Sequence, residues 1–250
     1  MRNIEDFGIL AEKYDIYNSA DYDAYAGFLL AQFARADIAV DEVLDLGCGT
    51  GELSVRLADK GKSVTAADIS DDMLSVLISK INGRDIQPVR QDMRALDLFG
   101  TVQGCVSAFD CLNYLQTAGD LEKALCSVGF FMEKGGIFVF DVNTEYAYTA
   151  IYDGKCYAYE TEESMLVWQS AYDKKTRKCR FYLTSFEEKG GLYSRRDAVH
   201  VQKYHSPRTV EKAAKNAGFD ILDIFGTTAC AKAGAASAKN YYVLKKNRSL

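Results

Sequence analysis

Histidine is almost missing from this chain: His200 and His205 are the only two among 250 residues. A zinc site built on mixed cysteine and histidine ligands has little to draw on, and no metal is expected. The seven cysteines (Cys48, Cys105, Cys111, Cys126, Cys156, Cys179 and Cys230) include no C-x-x-C pair, and their number is odd. That pattern points to reduced thiols rather than a disulfide framework. No apolar run approaches the length that spans a bilayer. The charged N-terminus, MRNIEDFGILAEKYD, does not read as a signal peptide, so a cytoplasmic location without membrane attachment is expected. Positive charge is also in deficit, with 30 Lys and Arg against 35 Asp and Glu and a net charge of −5. This disfavours a nucleic-acid partner, whose phosphates call for a basic face.

What is present is an ordinary globular composition, 48% hydrophobic and 26% charged, enough for one large domain or a domain with an insertion. Residues 4–36 carry apolar residues at helical spacing: Ile4, Phe7, Leu10, Ala11 and Tyr14, then Tyr25, Phe28, Leu29 and Phe33. Two cap helices around a turn near Asn18–Asp21 are predicted. From Glu42 short β-branched runs alternate with amphipathic stretches. Strands are predicted at 42–46, 63–68, 86–90, 104–109 and 135–142, with helices at 51–61, 72–81 and 119–133. This order predicts a doubly wound, Rossmann-like α/β fold with a mostly parallel sheet. The alternation stops near residue 150. Residues 157–206 show period-two patterning with turns at Lys174–Lys175 and Gly190–Gly191, which reads as three or four antiparallel strands. Ser206, Pro207 and Gly218 bracket a last helix, and two closing strands follow at 220–226 and 241–246. The expected division is 1–150 with 206–250 as one unit and 151–205 as an inserted β lid.

The informative segment is VLDLGCGTGELS, Val43–Ser54, placed between a strand and a helix as a nucleotide loop must be. Gly47, Gly49 and Gly51 permit a sharp turn and a close backbone approach to a ligand. Asp45 precedes the loop. Its carboxylate would repel a pyrophosphate but suits an amino-acid ammonium, which favours S-adenosylmethionine over NAD or ATP. Asp68 ends the next strand, 21 residues after Gly47, close to the ~20-residue spacing at which an acid meets ribose hydroxyls. Gln91, Asp92 and Met93 follow the third strand, where Asp92 can accept from an adenine amino group and Met93 can cover the ring. Ala108–Leu115 (AFDCLNYL) follows the fourth. Ligands bind outside the carboxyl ends of strands in open α/β sheets.

With these residues in view, segment 43–142 resembles the core of the class I S-adenosylmethionine-dependent methyltransferases, whose signature loop reads DLGCGTG. Further features resemble a bacterial subgroup of small-molecule type: KYD (Lys13–Asp15), D-C-L-N-Y-L (Asp110–Leu115), FDVNT (Phe140–Thr144) and the antiparallel insertion. The resemblance implies that Asp45, Gly47, Cys48, Gly49, Thr50 and Gly51 hold the methionine end of the cofactor. It implies that Asp68 binds ribose, that Ile69, Asp92 and Met93 meet adenine, and that Phe109 and Asp110 sit beside the methionine moiety. Met73 and Gln91 complete the expected set. Tyr14 and Tyr22 would close the cofactor from the N-terminal side, the alternative being plain helix packing.

A sulfonium methyl is already activated, so alignment and exclusion of water matter more than a strong base. Tyr114, Asn113, Asn143, His200, Tyr204 and His205 are expected near the mouth, with Tyr114, His200 and Tyr204 the candidates for a proton-handling role. The chain has two prolines, Pro88 and Pro207. It therefore lacks both the N/D-P-P-Y/F motif of base-amino methylation and the Pro-Cys pair of cytosine carbon-5 methylation. The lid aromatics point to a small-molecule acceptor, though the same surface could join two copies as a homodimer. A tRNA substrate and a non-catalytic cofactor-binding regulator stand as alternatives.

Overall fold

The computed structural model describes residues 3–4, 8–11, 14–17 and 20–247. The N-terminal segment contributes a short strand β1 (Asn3–Ile4), helices α1 (Gly8–Ala11) and α2 (Tyr14–Tyr17), and a full helix α3 (Tyr22–Phe33). Ile4, expected on a helix, lies instead on a strand: β1 pairs in parallel with residues 198–199, where an open sheet edge offers it hydrogen-bond partners. Where one early helix is predicted, the described residues form the two short helices α1 and α2. Phe7, Lys13, Asn18 and Ser19, named in the expectations above, lie outside the described residues. Asp21 caps α3 by accepting from the Ala24 amide, as a short acidic side chain does at an N-cap.

The alternating region follows its pattern closely. It runs β2 (Glu42–Leu46), α4 (Glu52–Asp59), β3 (Ser63–Asp68), α5 (Asp71–Lys80), β4 (Ile86–Arg90), β5 (Val102–Ser107), a 3-10 turn (Cys111–Tyr114), α6 (Ala118–Phe131) and β6 (Met132–Asn143). A π-helical turn (Ala147–Tyr152) leads to β7 (Cys156–Glu160), β8 (Ser164–Asp173), β9 (Lys178–Lys189) and β10 (Leu192–Lys203). The chain then returns through α7 (Pro207–Asn216), β11 (Phe219–Phe225) and β12 (Lys239–Lys246).

Two sheets result. The seven-stranded sheet has the order β11-β12-β6-β5-β2-β3-β4. Its β2–β3, β3–β4, β2–β5 and β5–β6 pairs are parallel, and β12 runs antiparallel to both neighbours. Core packs on both faces. Phe138 and Phe140 of β6 face one cluster with α6 and α7, while Ile137 and Val139 face the other with α3 and α4, as period-two side-chain alternation requires. The five-stranded sheet has the order β1-β10-β9-β8-β7. Its β9–β10 hairpin turns on Gly190 and Gly191, both at positive φ (62° and 81°), the conformation a two-residue hairpin demands. Ser206 caps α7 by accepting from Thr209, with Pro207 in the first turn. β2 is flanked by β3 on one side and β5 on the other, so the chain leaves it in opposite directions. That strand-order reversal opens a crevice at the carboxyl ends of β2 and β5.

Candidate functional site

A cavity of about 740 Å³ occupies this crevice and runs to the five-stranded sheet. The β2–α4 loop forms its floor. Gly47 and Gly51 have φ of 73° and 80°, in the left-handed region where a Cβ is costly. A Cβ on Gly47 would stand 2.7 Å from Cys111 Sγ, and one on Gly51 would stand 2.1 Å from Leu77 Cδ1. A Cβ built at Gly49, by contrast, would meet nothing within 4 Å. The loop thus packs tightly behind and is bare in front, a cradle shaped for a close-lying ligand.

Two carboxylates set the electrostatics of this end. Asp45 is buried and accepts from Ser54 Oγ at 2.6 Å. Burial pushes its carboxyl up to about 6, against the lowering pull of Ser54 and with a further push from Asp68. Asp68 Oδ2 accepts from the Gly49 amide at 2.8 Å and Oδ1 from the Ser70 amide at 2.9 Å. Burial raises its carboxyl too, in spite of those amides. Asp68 therefore ties the glycine loop to the start of α5. Ser70, not Asp68, caps that helix by accepting from Met73.

Cys48, Thr50, Ile69, Met73, Gln91, Asp92 and Met93 also line this half. Asp92, however, is engaged by its neighbour Arg94, with Nε 2.9 Å from Oδ1, and that hydrogen bond holds its carboxyl below the usual range. Gln91 bridges both backbone groups of Asp97, which makes it a loop brace. Gly51 does not line the cavity; it is required for contact with Leu77. From the N-terminal side Tyr14 and Tyr22 reach the cavity. Tyr22 stands edge-on to Phe109, with ring centroids 5.1 Å apart. Asp15 accepts from Thr50 Oγ1 and from Lys80 Nζ, each at 2.6 Å, so this segment is fastened directly to the glycine loop.

At the middle of the cavity, Phe109 and Asp110 are consecutive non-glycine residues at φ of 56°, a conformation that costs on the order of 1–3 kcal/mol at each such position. Asp141, fully buried at the end of β6, holds them there. Its Oδ1 accepts from the Phe109 amide and from Tyr25 OH, both at 2.7 Å, and its Oδ2 from the Asp110 amide at 2.9 Å. Lys239, just inside β12, donates to Asp141 Oδ2 and Asp110 Oδ1, each at 2.7 Å. Burial alone would lower the Lys239 ammonium, but the two carboxylates override it and hold it well above its ordinary range. Sequence reading missed Tyr25, Asp141 and Lys239 as site residues. FDVNT signalled Asp141, whereas Lys239 lies between the two closing strands predicted at 220–226 and 241–246, in a stretch rich in alanine.

The far half of the cavity carries the acceptor-side candidates. Tyr114 OH lies 3.2 Å from His200 Nδ1, and both residues line the cavity. Burial, then the Asp110 charge, raises the Tyr114 phenol well above its ordinary value, so it stays protonated. Gln202 donates to Asp110 and accepts from Asn143 Nδ2 and Tyr148 OH. Tyr152, Trp168 and Phe181 form an aromatic wall, with centroids 5.3–6.1 Å apart. Tyr204 packs against the same cluster but does not line the cavity. It packs outside the cavity beneath the Arg177 guanidinium, 5.9 Å from its ring. Asn113 and His205 are likewise structural. Asn113 bonds the Lys203 carbonyl and the Asn143 amide. His205 Nε2 sits 2.9 Å from the Leu115 carbonyl, and burial pushes its ring down to about 4.

Comparison with known proteins bears on this geometry. A family model described as a methyltransferase domain matches residues 43–136. A relative from Geobacillus sp. (strain WCH70), named provisionally as a methyltransferase, is 30% identical over 239 residues, covering 92% of this chain and 95% of the relative. A second from Bacillus subtilis (strain 168), named in the same way, is 29% identical over 96% of this chain and 97% of its own length. The crystal structure of an S-adenosylmethionine-dependent methyltransferase from Clostridium acetobutylicum ATCC 824 superposes with a TM-score of 0.85 at 25% identity, covering 96% of this chain and 97% of that one.

Proposed function

Since the chain belongs to the class I S-adenosylmethionine-dependent methyltransferases, we propose that it methylates a small-molecule acceptor held beneath the five-stranded sheet. One observation carries this reading: a single cavity joins the glycine cradle and its two carboxylates to the Tyr114–His200 pair and the aromatic wall. A concave pocket of this kind, walled by both sheets, suits a metabolite better than a polymer. The acidic lining also does not suit a phosphate backbone. Residues 1–150 with 206–250 would form the cofactor-binding unit and residues 151–205 the substrate cover. We place the protein in the cytoplasm, with its cysteines as free thiols.

When bound, S-adenosylmethionine supplies a methyl group activated by a sulfonium. The protein's part is to hold, align and dehydrate. Asp45 and the Gly47–Thr50 backbone hold the amino-acid end, Asp68 the ribose, and Ile69, Met73 and Met93 the base. Phe109 and Asp110 fix the middle. An ionised Asp45 is needed opposite an ammonium, and its carboxyl titrates near 6 in the free site. Cofactor affinity should therefore be flat above about pH 7 and fall roughly tenfold per unit well below about pH 6. Calorimetry across pH 5–8 checks this, and an Asp45→Asn variant should show the flat, weak limit throughout.

At the acceptor end, Tyr114 donates to His200 in the tautomer whose Nδ1 is bare. A proton leaving the acceptor can then pass to the Tyr114 oxygen as the phenol proton moves to His200. Tyr114→Phe is expected to lower kcat about a hundredfold at pH 7, with cofactor Kd unchanged and a loss that shrinks as pH rises. A loss independent of pH would assign Tyr114 to packing.

Calorimetry with S-adenosylmethionine and S-adenosylhomocysteine, followed by transfer of a labelled methyl into a metabolite extract and into tRNA, tests the whole reading. Label in the low-mass fraction is expected. Label confined to tRNA would overturn the small-molecule reading, and absence of cofactor binding would overturn the enzyme.

A further inference from the structure

Charge is unevenly distributed along the cavity. Seven carboxylates of the described residues line it, those of Asp21, Asp45, Glu52, Asp68, Asp92, Asp110 and Asp120, and buried Asp141 lies behind Lys239, the one lining ammonium. Among the described residues that line the cavity, Arg94 is the other permanent cation, and it is paired with Asp92 and lies near Asp120. A sulfonium amino acid brings one net positive charge, since its ammonium and carboxylate cancel. An excess of negative charge is left over after it binds. Neither lining cation lacks a carboxylate partner, so an acceptor bearing phosphate or carboxylate would enter against the field.

The far half supplies independent requirements of its own. Asn143 is 1% exposed and lines the cavity, and its Oδ1 has no hydrogen-bond partner among the described residues. A buried amide oxygen in that state wants an N–H or O–H donor. Tyr152, Trp168 and Phe181 present ring surfaces to the same space, and aromatic faces attract cations.

From this we infer that the methyl acceptor is an amine that enters as its ammonium form, with an apolar or ring-bearing body lodged against the Tyr152–Trp168–Phe181 wall. The inference rests on the methyltransferase reading above. The chemistry balances. The ammonium sheds one proton through Tyr114 to His200, which becomes imidazolium. The freed nitrogen lone pair forms the new bond to the methyl carbon as the carbon–sulfur bond breaks and its electron pair stays on sulfur. The positive charge lost at sulfur reappears on the methylated nitrogen, where the acid excess and the ring faces still stabilise it. A hydroxyl acceptor would use the Asn143 oxygen equally well but would leave the negative excess unmatched.

The chain contains one tryptophan, Trp168, and it lies in the wall, so its emission reports directly on occupancy. The decisive test titrates three compounds of matched shape into the full-length protein saturated with S-adenosylhomocysteine: benzylamine, benzyl alcohol and benzoate. At pH 7 benzylamine should change Trp168 emission saturably and bind at least about tenfold more tightly than the alcohol, with benzoate weaker still. Asp110→Asn should remove much of that preference. Equal or tighter binding by benzoate or the alcohol would overturn the proposal, and so would emission unmoved by benzylamine. Because the titration can also be run without the nucleoside, failure to bind S-adenosylhomocysteine would sink the methyltransferase reading separately.

Discussion

Asp68→Ala is expected to weaken S-adenosylmethionine binding by at least about a hundredfold while the protein still folds. The carboxylate has two jobs. It would accept from the cofactor's ribose hydroxyls, where charge-assisted hydrogen bonds contribute about 1.5–3 kcal/mol each. It also pins the Gly49 and Ser70 amides, which fixes the glycine cradle relative to α5. A hundredfold in Kd is about 2.7 kcal/mol, less than the two hydroxyl contacts could supply together, so the figure is a lower bound. Asp68→Asn should fall between wild type and alanine, since its oxygen keeps one amide while its NH₂ opposes the other. Calorimetry gives the affinities and far-ultraviolet circular dichroism checks the fold. Binding within threefold of wild type in Asp68→Ala would remove Asp68 from the site.

The second large effect should come from Lys239. Replacing it with methionine leaves Asp110 and fully buried Asp141 facing one another with no cation between them. Loss of one partner from a buried ion pair typically costs about 3–5 kcal/mol. Urea unfolding of Lys239→Met should show a loss of that order. The double variant Lys239→Met with Asp110→Asn should recover at least about half of it, because one of the opposed charges is gone. A single variant as stable as wild type would mean that the network is not what holds this corner. A double variant no better than the single would mean that Lys239 acts through packing, such as its approach to the Phe109 ring at 5.7 Å.

These two predictions fall on opposite sides of what the sequence made legible. Asp68 could be read because its signals are local: a β-branched strand ends on it, and a glycine loop lies one βα unit earlier. The bounds of β2, β3 and β4 were legible for the same reason, each being a short run with β-branched residues between turn or helix signals. The inserted hairpins were legible through their turn residues. Lys239 was not, because its partners Asp110 and Asp141 lie 129 and 98 residues away, and a lone lysine among alanines gives no sign of burial. Gly51 belonged to the right motif but for a different reason, its closeness to Leu77. Asp92 stood at the expected strand end, but nothing in the spacing showed that Arg94 two residues on would engage it. Strand alternation would place Tyr204 on the face of His200 and Gln202, but β10 ends at Lys203, and just beyond it the Tyr204 ring turns to the Arg177 side.

The left-handed corner at Phe109 and Asp110 has a consequence for how ligands arrive. Its unfavourable dihedrals are offset by contacts with Asp141 and Lys239, which hold the segment in this shape without a ligand. A guest docking there freezes little backbone that was loose beforehand, and little of its intrinsic attraction is given up to chain ordering. The corner behaves as a fixed jig against which two reactants can be registered, rather than as a flap that must wrap them first.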